Sequence, residues 1–267
     1  MALIAVQHIR RMHGGAQGHL MRISDGNFYV VKFQNNPQHI RVLANDLLAT
    51  RLGLQIGLPM AAAEVIEVGE WLIQHTPELA IEIAGKKAPC QAGLQFGSRY
   101  IVDPAQGQVL DYLPESFLWG IRNLGDFAGV LAFDKWTCNA DGRQSVYWRK
   151  SAELGYSAAF IDQGYCFNDG EWAFRDSPLR GVHSSNQVYT AVTGWESFEP
   201  WLSAIEALDS SAIGSIASAV PPEWYDADWD ALEKLVEALA RRCRGVRELI
   251  TEFRRSSRQP FPNWKDN

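Results

Sequence analysis

Four short segments stand in a fixed order along this 267-residue chain. They are Gly14-Gly15-Ala16-Gln17-Gly18, Val30-Val31-Lys32-Phe33, Asn139-Ala140-Asp141-Gly142-Arg143-Gln144 and Phe160-Ile161-Asp162-Gln163-Gly164. A glycine turn, a strand lysine and two separated aspartates are the minimum set for holding a nucleoside triphosphate with its metal ion. No one segment carries that reading alone; order and spacing carry it together.

The elements around these segments set the fold class. Residues 5–11, 20–24 and 27–33 read as three strands of an antiparallel meander, with Asp25-Gly26 as a hairpin turn. Asn36 and Pro37 predict a helix start, as N-cap and first helical residue. Ile40, Leu43, Leu47, Leu48 and Leu52 continue it at helical spacing until Gly57 and Pro59. Residues 61–68 and 70–74 read as strands around Gly69. In 81–109 the signals are mixed: Gly85, Lys86, Lys87 and Pro89 suggest a loop, and 103–108 a turn. A boundary near 110–114 divides the chain into 1–112, an antiparallel sheet plus one helix, and 113–267, mostly helical. The second part has an apolar buried helix over 126–138 and a strand pair at 146–148 and 158–161. Helices are expected at 185–192, 197–208, 210–219 and 229–254, the last with a break at Gly245. Residues 256–267 read as a loose polar tail. The fold class is therefore α+β.

Composition excludes several alternatives. A formal net charge of -6 argues against direct nucleic-acid binding. The four cysteines form no C-x-x-C pair, and the six histidines show no H-E-x-x-H spacing. There is no G-x-S-x-G elbow and no apolar run near the ~20 residues of a membrane span. Residues 1–12 carry charge too early for a secretory leader. These features predict a soluble, cytoplasmic chain with reduced thiols and no membrane partner.

Each segment has a chemical reading beside a bland one. The turn Gly14 to Gly18 lies between strands and lacks the Walker Gly-Lys-Ser/Thr ending. It suits backbone N–H groups laid over phosphates, and it equally suits a plain hairpin. Lys32 alternates with Val31 and Phe33, so it lies on a solvated face or in a cleft. In a cleft it needs a carboxylate, and Asp46 on the next helix is the candidate. Asp141 follows a buried helix where polar residues begin abruptly; it can take a hydroxyl proton, and Arg143 can neutralise phosphate charge. Asp162 ends an apolar strand and must be hydrogen-bonded or bound to a cation such as magnesium; an Asx turn before Gly164 is the other reading. The stretch 168–180, with Glu171, Trp172, Arg175, Asp176 and Arg180, reads either as acceptor recognition or as a surface loop.

On these residues the chain resembles HipA-like kinases, a bacterial branch of the protein-kinase-like fold, from about Gly14 to the last helix. The resemblance implies a bilobal fold that places ATP and Mg2+ between a small sheet lobe and a helical lobe. It also implies transfer of the γ-phosphate to a hydroxyl, of a protein Ser or Thr or of a small molecule. A regulatory protein partner is compatible with it. Gly14, Gly15, Gln17 and Gly18 then match the glycine-rich loop, and Lys32 the nucleotide lysine. Asp46 takes the place of the usual helix glutamate. Asp141 matches the catalytic aspartate of an N-x-D-x-H loop, and Asp162 the metal aspartate. Two positions depart from the pattern. Arg143 stands where the loop histidine is expected, and Val146 where a metal-binding asparagine is expected. Gln144 is the nearest amide and becomes the substitute ligand. A second register pairs Asp134 with Asn139 at D-x-x-x-x-N spacing; Asp141 is preferred because Asp134 lies within the helical pattern. The Val146 departure also fits a pseudokinase-like protein that uses the cleft to bind nucleotide or dock a partner.

Overall fold

The computed structural model describes residues 3–265. Strands β1 (Leu3–Arg11), β2 (His19–Ile23) and β3 (Phe28–Lys32) form the expected antiparallel meander. Helix α1 (Val42–Gln55) follows, then β4 (Ala63–Val68), the short helix α2 (Glu70–Gln74), the hairpin β5 (Ala80–Ile83) and β6 (Lys86–Pro89), and β7 (Gly93–Arg99). Strand β7 inserts between β3 and β4. Strand β4 returns parallel to β1 through Leu3↔Ile66 and Ile4↔Glu67, which closes a five-stranded barrel. Alternation assigns the faces. Tyr29, Val31 and Phe33 join Met21, Ile23, Ile66 and Val68 in a small core, while Val30 and Lys32 face a cavity.

Beyond the barrel come β8 (Gly107–Leu110), α3 (Glu115–Leu118), α4 (Asp126–Thr137), β9 (Gln144–Lys150) and β10 (Ser157–Ile161). Strands β8, β9 and β10 form a second sheet in the order β10-β9-β8. Thus β8, which precedes the expected boundary near 110–114, pairs with residues that follow it. Helices α5 (Trp201–Glu206), α6 (Ser210–Ala217), α7 (Trp229–Arg242) and α8 (Val246–Arg255) complete the chain. Eleven of the twelve residues of α4 are buried, so this helix is enclosed on all sides and occupies the centre. One continuous core joins α1, α4, the second sheet and the C-terminal helices.

Several elements differ from the sequence expectation. Residues 70–74 are helix, not strand: Gly69 O accepts from Leu72 N and Ile73 N, and three consecutive apolar residues impose no period of two. Helix α1 starts six residues after Asn36, because the Asn36 side chain turns back to Ala16 O and Gln38 N. The expected loop at 85–89 contains the β5–β6 turn and strand β6, with Ala84 and Gly85 left-handed. Residues 185–192 supply only one 3-10 turn, Asn186–Tyr189. The 197–208 helix is cut to α5 by Pro200. The last helix breaks at Cys243–Gly245, as the glycine suggested. The tail is not loose: Phe261 is buried against Tyr189, Phe198, Phe253 and Trp264. Residues 1, 2, 266 and 267, which the leader and tail readings included, lie outside the described residues. No helix among the described residues is long and apolar enough to cross a membrane.

Candidate active site

The site is built on a lysine shared by two carboxylates. Lys32, near the end of β3, sits opposite Phe96 of β7 and is buried. Its Nζ donates to Asp46 Oδ2 at 2.6 Å and to Asp162 Oδ1 at 2.8 Å. Asp46 comes from near the start of α1, and its second oxygen accepts from Gln163 N at 2.8 Å. Burial would disfavour the ammonium, but Asp162 and Asp46 together raise the Lys32 pKa. With one cation between two anions, the carboxylates divide. Burial, helped by the Asp162 charge, pushes Asp46 up to about 6 against the pull of Lys32. Asp162 is also desolvated, yet Lys32 and then Arg143 hold it below the usual carboxylate value. Asp46 is a short side chain for this task. Gly164 compensates, because a Cβ there would lie 2.6 Å from Val42 Cγ2 and 3.2 Å from Asp46 Oδ2. Its absence lets the loop after β10 come close to α1.

That loop is strained. Asp162, Phe167, Asn168, Asp169 and Trp172 all have positive φ, between 53° and 66°. For non-glycine residues this conformation costs about 1–2 kcal/mol each. Side chains at the start of α1 hold the loop in place, above all Asn45, which is fully buried. The sequence motifs do not single out Asn45. An amide inside an otherwise apolar helical stripe was the available signal.

The Asp141 loop leaves α4 through Cys138, which is left-handed. Asp141 is exposed; it accepts from Gly142 N at 2.7 Å and from Gln144 Nε2 at 3.3 Å. Arg143 is not presented as a free charge. Its guanidinium grips buried Asp134 with two bonds and donates to Ile161 O at 3.0 Å. Asn139 also donates to Asp134, at 3.0 Å. Asp134 thus anchors the loop from inside helix α4, and of these two aspartates Asp141 lines the cavity. Val146 lines it too, on β9.

The glycine turn joins β1 to β2. Gly18 is required by close approach: a Cβ there would lie 2.9 Å from Val30 Cγ1. The N–H groups of Gly14, Gly15 and Ala16 meet no acceptor among the described residues. The Gln17 amide is already engaged: it bonds both backbone groups of Glu82 on β5 and accepts from Arg11.

A cavity of about 890 Å³ is lined by Gly14, Gly15, Gln17, Gly18, Lys32, Asp46, Asp141, Arg143, Gln144 and Asp162 together. Ala61, Phe96, Leu113, Val146 and Phe160 give it apolar walls. The sequence profile of the family described as HipA-like kinase matches residues 5–249. The chain belongs to the HipA-like kinase family.

Solved structures share the fold of this HipA-like kinase. The Helicobacter pylori proinflammatory kinase CtkA aligns over 93% of this chain and 95% of its own, with TM-score 0.56 and 12% identity. A Golgi casein kinase aligns over 94% and 74%, with TM-score 0.54 and 13% identity. Hydra Fam20, solved with sugar, aligns over 97% and 89%, with TM-score 0.54 and 12% identity. No curated protein matches the chain in sequence. Family membership places the chain among phosphotransferases. The donor set suits a hard cation: Asp162 and Asp141 offer carboxylates and Gln144 an amide oxygen. No group of three or more His, Cys, Asp or Glu among the described residues forms a metal site by itself. A cation here would draw its remaining ligands from a bound phosphate and water.

Proposed function

We propose that the chain is an ATP- and Mg2+-dependent kinase that transfers the γ-phosphate to a hydroxyl. In this reading the nucleotide lies between two lobes, 1–112 and 113–267, in the cavity described above. The observation that carries it is Lys32, bonded at once to Asp46 and Asp162 at a cavity that Asp141 also lines.

The residues divide the work. The free amides of Gly14, Gly15 and Ala16 cradle phosphate oxygens. Lys32 holds phosphate while Asp46 fixes its position. Asp162 would hold the metal, with Gln144 as a second oxygen ligand. Magnesium, when bound, supplies charge neutralisation for the transferring phosphoryl group. Asp141 orients the acceptor hydroxyl and takes its proton. Arg143 acts through Asp134, holding the loop that carries Asp141. The acceptor is read as a protein Ser or Thr; a small-molecule hydroxyl would use the same residues. Stretch 168–180 contributes to its recognition.

A second reading is a nucleotide-binding pseudokinase, favoured by Val146 and by the Gln144 amide turned to Asp141. ATP turnover and autophosphorylation with Mg2+, compared with Asp162→Ala and Asp141→Asn, decide between them. Loss of wild-type turnover in both variants supports the kinase. ATP binding without wild-type turnover, with acceptor proteins supplied, supports the pseudokinase. Absence of ATP binding overturns both.

A further inference from the structure

We infer that Asn45 is a positioning residue for the metal-facing carboxylate of Asp162, acting through the strained loop that follows it. This rests on the kinase reading of the same site. Asn45 occupies the helix position before Asp46 and has no solvent exposure. Its Nδ2 lies 2.9 Å from Gly164 O, 2.9 Å from Cys166 O and 2.8 Å from Asp169 O. Its Oδ1 accepts from Trp172 Nε1 at 2.7 Å. One carboxamide therefore engages four residues of the segment 163–172.

The neighbouring side chains act on the same segment. His39 Nε2 bonds Gly164 O at 2.9 Å, and its ring meets Tyr165 edge to face. Arg41 donates to Gly170 O at 3.3 Å and stacks on Trp172 at 4.2 Å. Asp46 accepts from Gln163 N. Among them Asn45 reaches furthest along the loop, and only an amide offers two donors and an acceptor on so short a branch. An aspartate of the same shape would set a carboxylate against three carbonyls.

The loop cannot hold its shape unaided, since five of its residues from Asp162 to Trp172 are left-handed without being glycine. Asp162 is the first of them. If the loop relaxes, the backbone at Asp162 turns with it, and its carboxylate no longer points into the cavity. Asp46 and Asn45 thus divide one helix turn: one side chain fixes the lysine, the other fixes the loop of the opposing aspartate.

The test compares the full chain with Asn45→Asp and with Trp172→Phe, which keeps the ring and removes one hydrogen bond. ADP binding is titrated with and without Mn2+, and amide exchange is followed over 163–172. Positioning predicts metal-free ADP affinity unchanged and the Mn2+-dependent gain reduced about tenfold in Asn45→Asp, and less in Trp172→Phe. Amides of 163–172 exchange faster, while those of β3 do not. A merely structural role predicts lower thermal stability with the Mn2+ gain intact, which overturns the proposal. If Asn45→Asp does not fold, Trp172→Phe carries the same comparison, and an unchanged gain there overturns it equally. If the wild type binds no ADP under either condition, the kinase reading fails and this proposal with it.

Discussion

Two residues two positions apart carry opposite risks. Asp141 is exposed, whereas Arg143 is sealed against Asp134. Asp141→Asn is expected to leave unfolding free energy within about 0.5 kcal/mol while abolishing turnover. Arg143→Met strands a buried carboxylate and is expected to cost about 3–5 kcal/mol in urea denaturation. Equal stability of the two variants would contradict this account. The lysine cluster makes a pH prediction. Asp46, raised from 3.8 to about 6 chiefly by burial, keeps its proton in the folded chain only over the pH range between those values, where the unfolded chain has lost it. Its contribution to stability is full below the ordinary carboxylate value of 3.8 and falls as pH rises through 6. Asp162, held low, contributes in the opposite sense: its share is present above that ordinary value and fades as pH falls. The advantage of wild type over Asp46→Asn should therefore shrink by about 3 kcal/mol between pH 4 and 7. Parallel stability curves for the two proteins would count against it. The Lys32–Asp46 contact was legible in sequence, because a buried ammonium needs a carboxylate and the next helix offered one. The Arg143–Asp134 contact was not: it depends on a left-handed exit at Cys138 that folds the loop back on its own helix.

Helix packing hinges on where a glycine's neighbour can go. A Cβ on Gly129 of α4 would lie 2.3–2.7 Å from the Trp201 ring. A Cβ on Gly53 of α1 would lie 2.3 Å from Met60 Sδ. The indole is rigid, while a thioether can swing aside. Gly129→Ala is expected to cost about 1–3 kcal/mol by overpacking. Gly53→Ala should be near neutral, as about 1 kcal/mol of helix propensity offsets the rearrangement. Denaturation midpoints of the two variants check the contrast, and equal losses would refute it. The same physics governed which elements could be read in advance. Helix α4 announced itself by an unbroken apolar run, and β2–β3 by Asp25-Gly26. Strand β7 was hidden because Gly93, Gln95 and Gly97 dilute its pattern, though it lies between two other strands. The start of α1 was misplaced because Asn36 serves the glycine turn instead of its own helix.

The molecule is closed at both ends by contacts distant in sequence. Phe261 packs against rings from residues 189, 198, 253 and 264, and Arg258 bonds the carbonyls of His183 and Ser184. Phe261→Ala is expected to cost about 3–5 kcal/mol, despite lying in a stretch whose polarity read as a loose tail. A loss under 1 kcal/mol in urea unfolding would show that the tail is dispensable. Polarity averaged over twelve residues concealed one anchoring ring, so the tail was the least legible part. At the other end, β1 pairs with β4 through Leu3 and Ile4, and β3 waits for β7. Between β4 and β7 the chain inserts α2 and the β5–β6 hairpin. A nascent chain released only as far as residue 90 therefore carries β3 with one hydrogen-bonding edge unpaired. At synthesis rates of roughly 5–20 residues per second, that edge stays open for seconds after β3 has emerged. Folding on the ribosome must shield it until Arg99 is free.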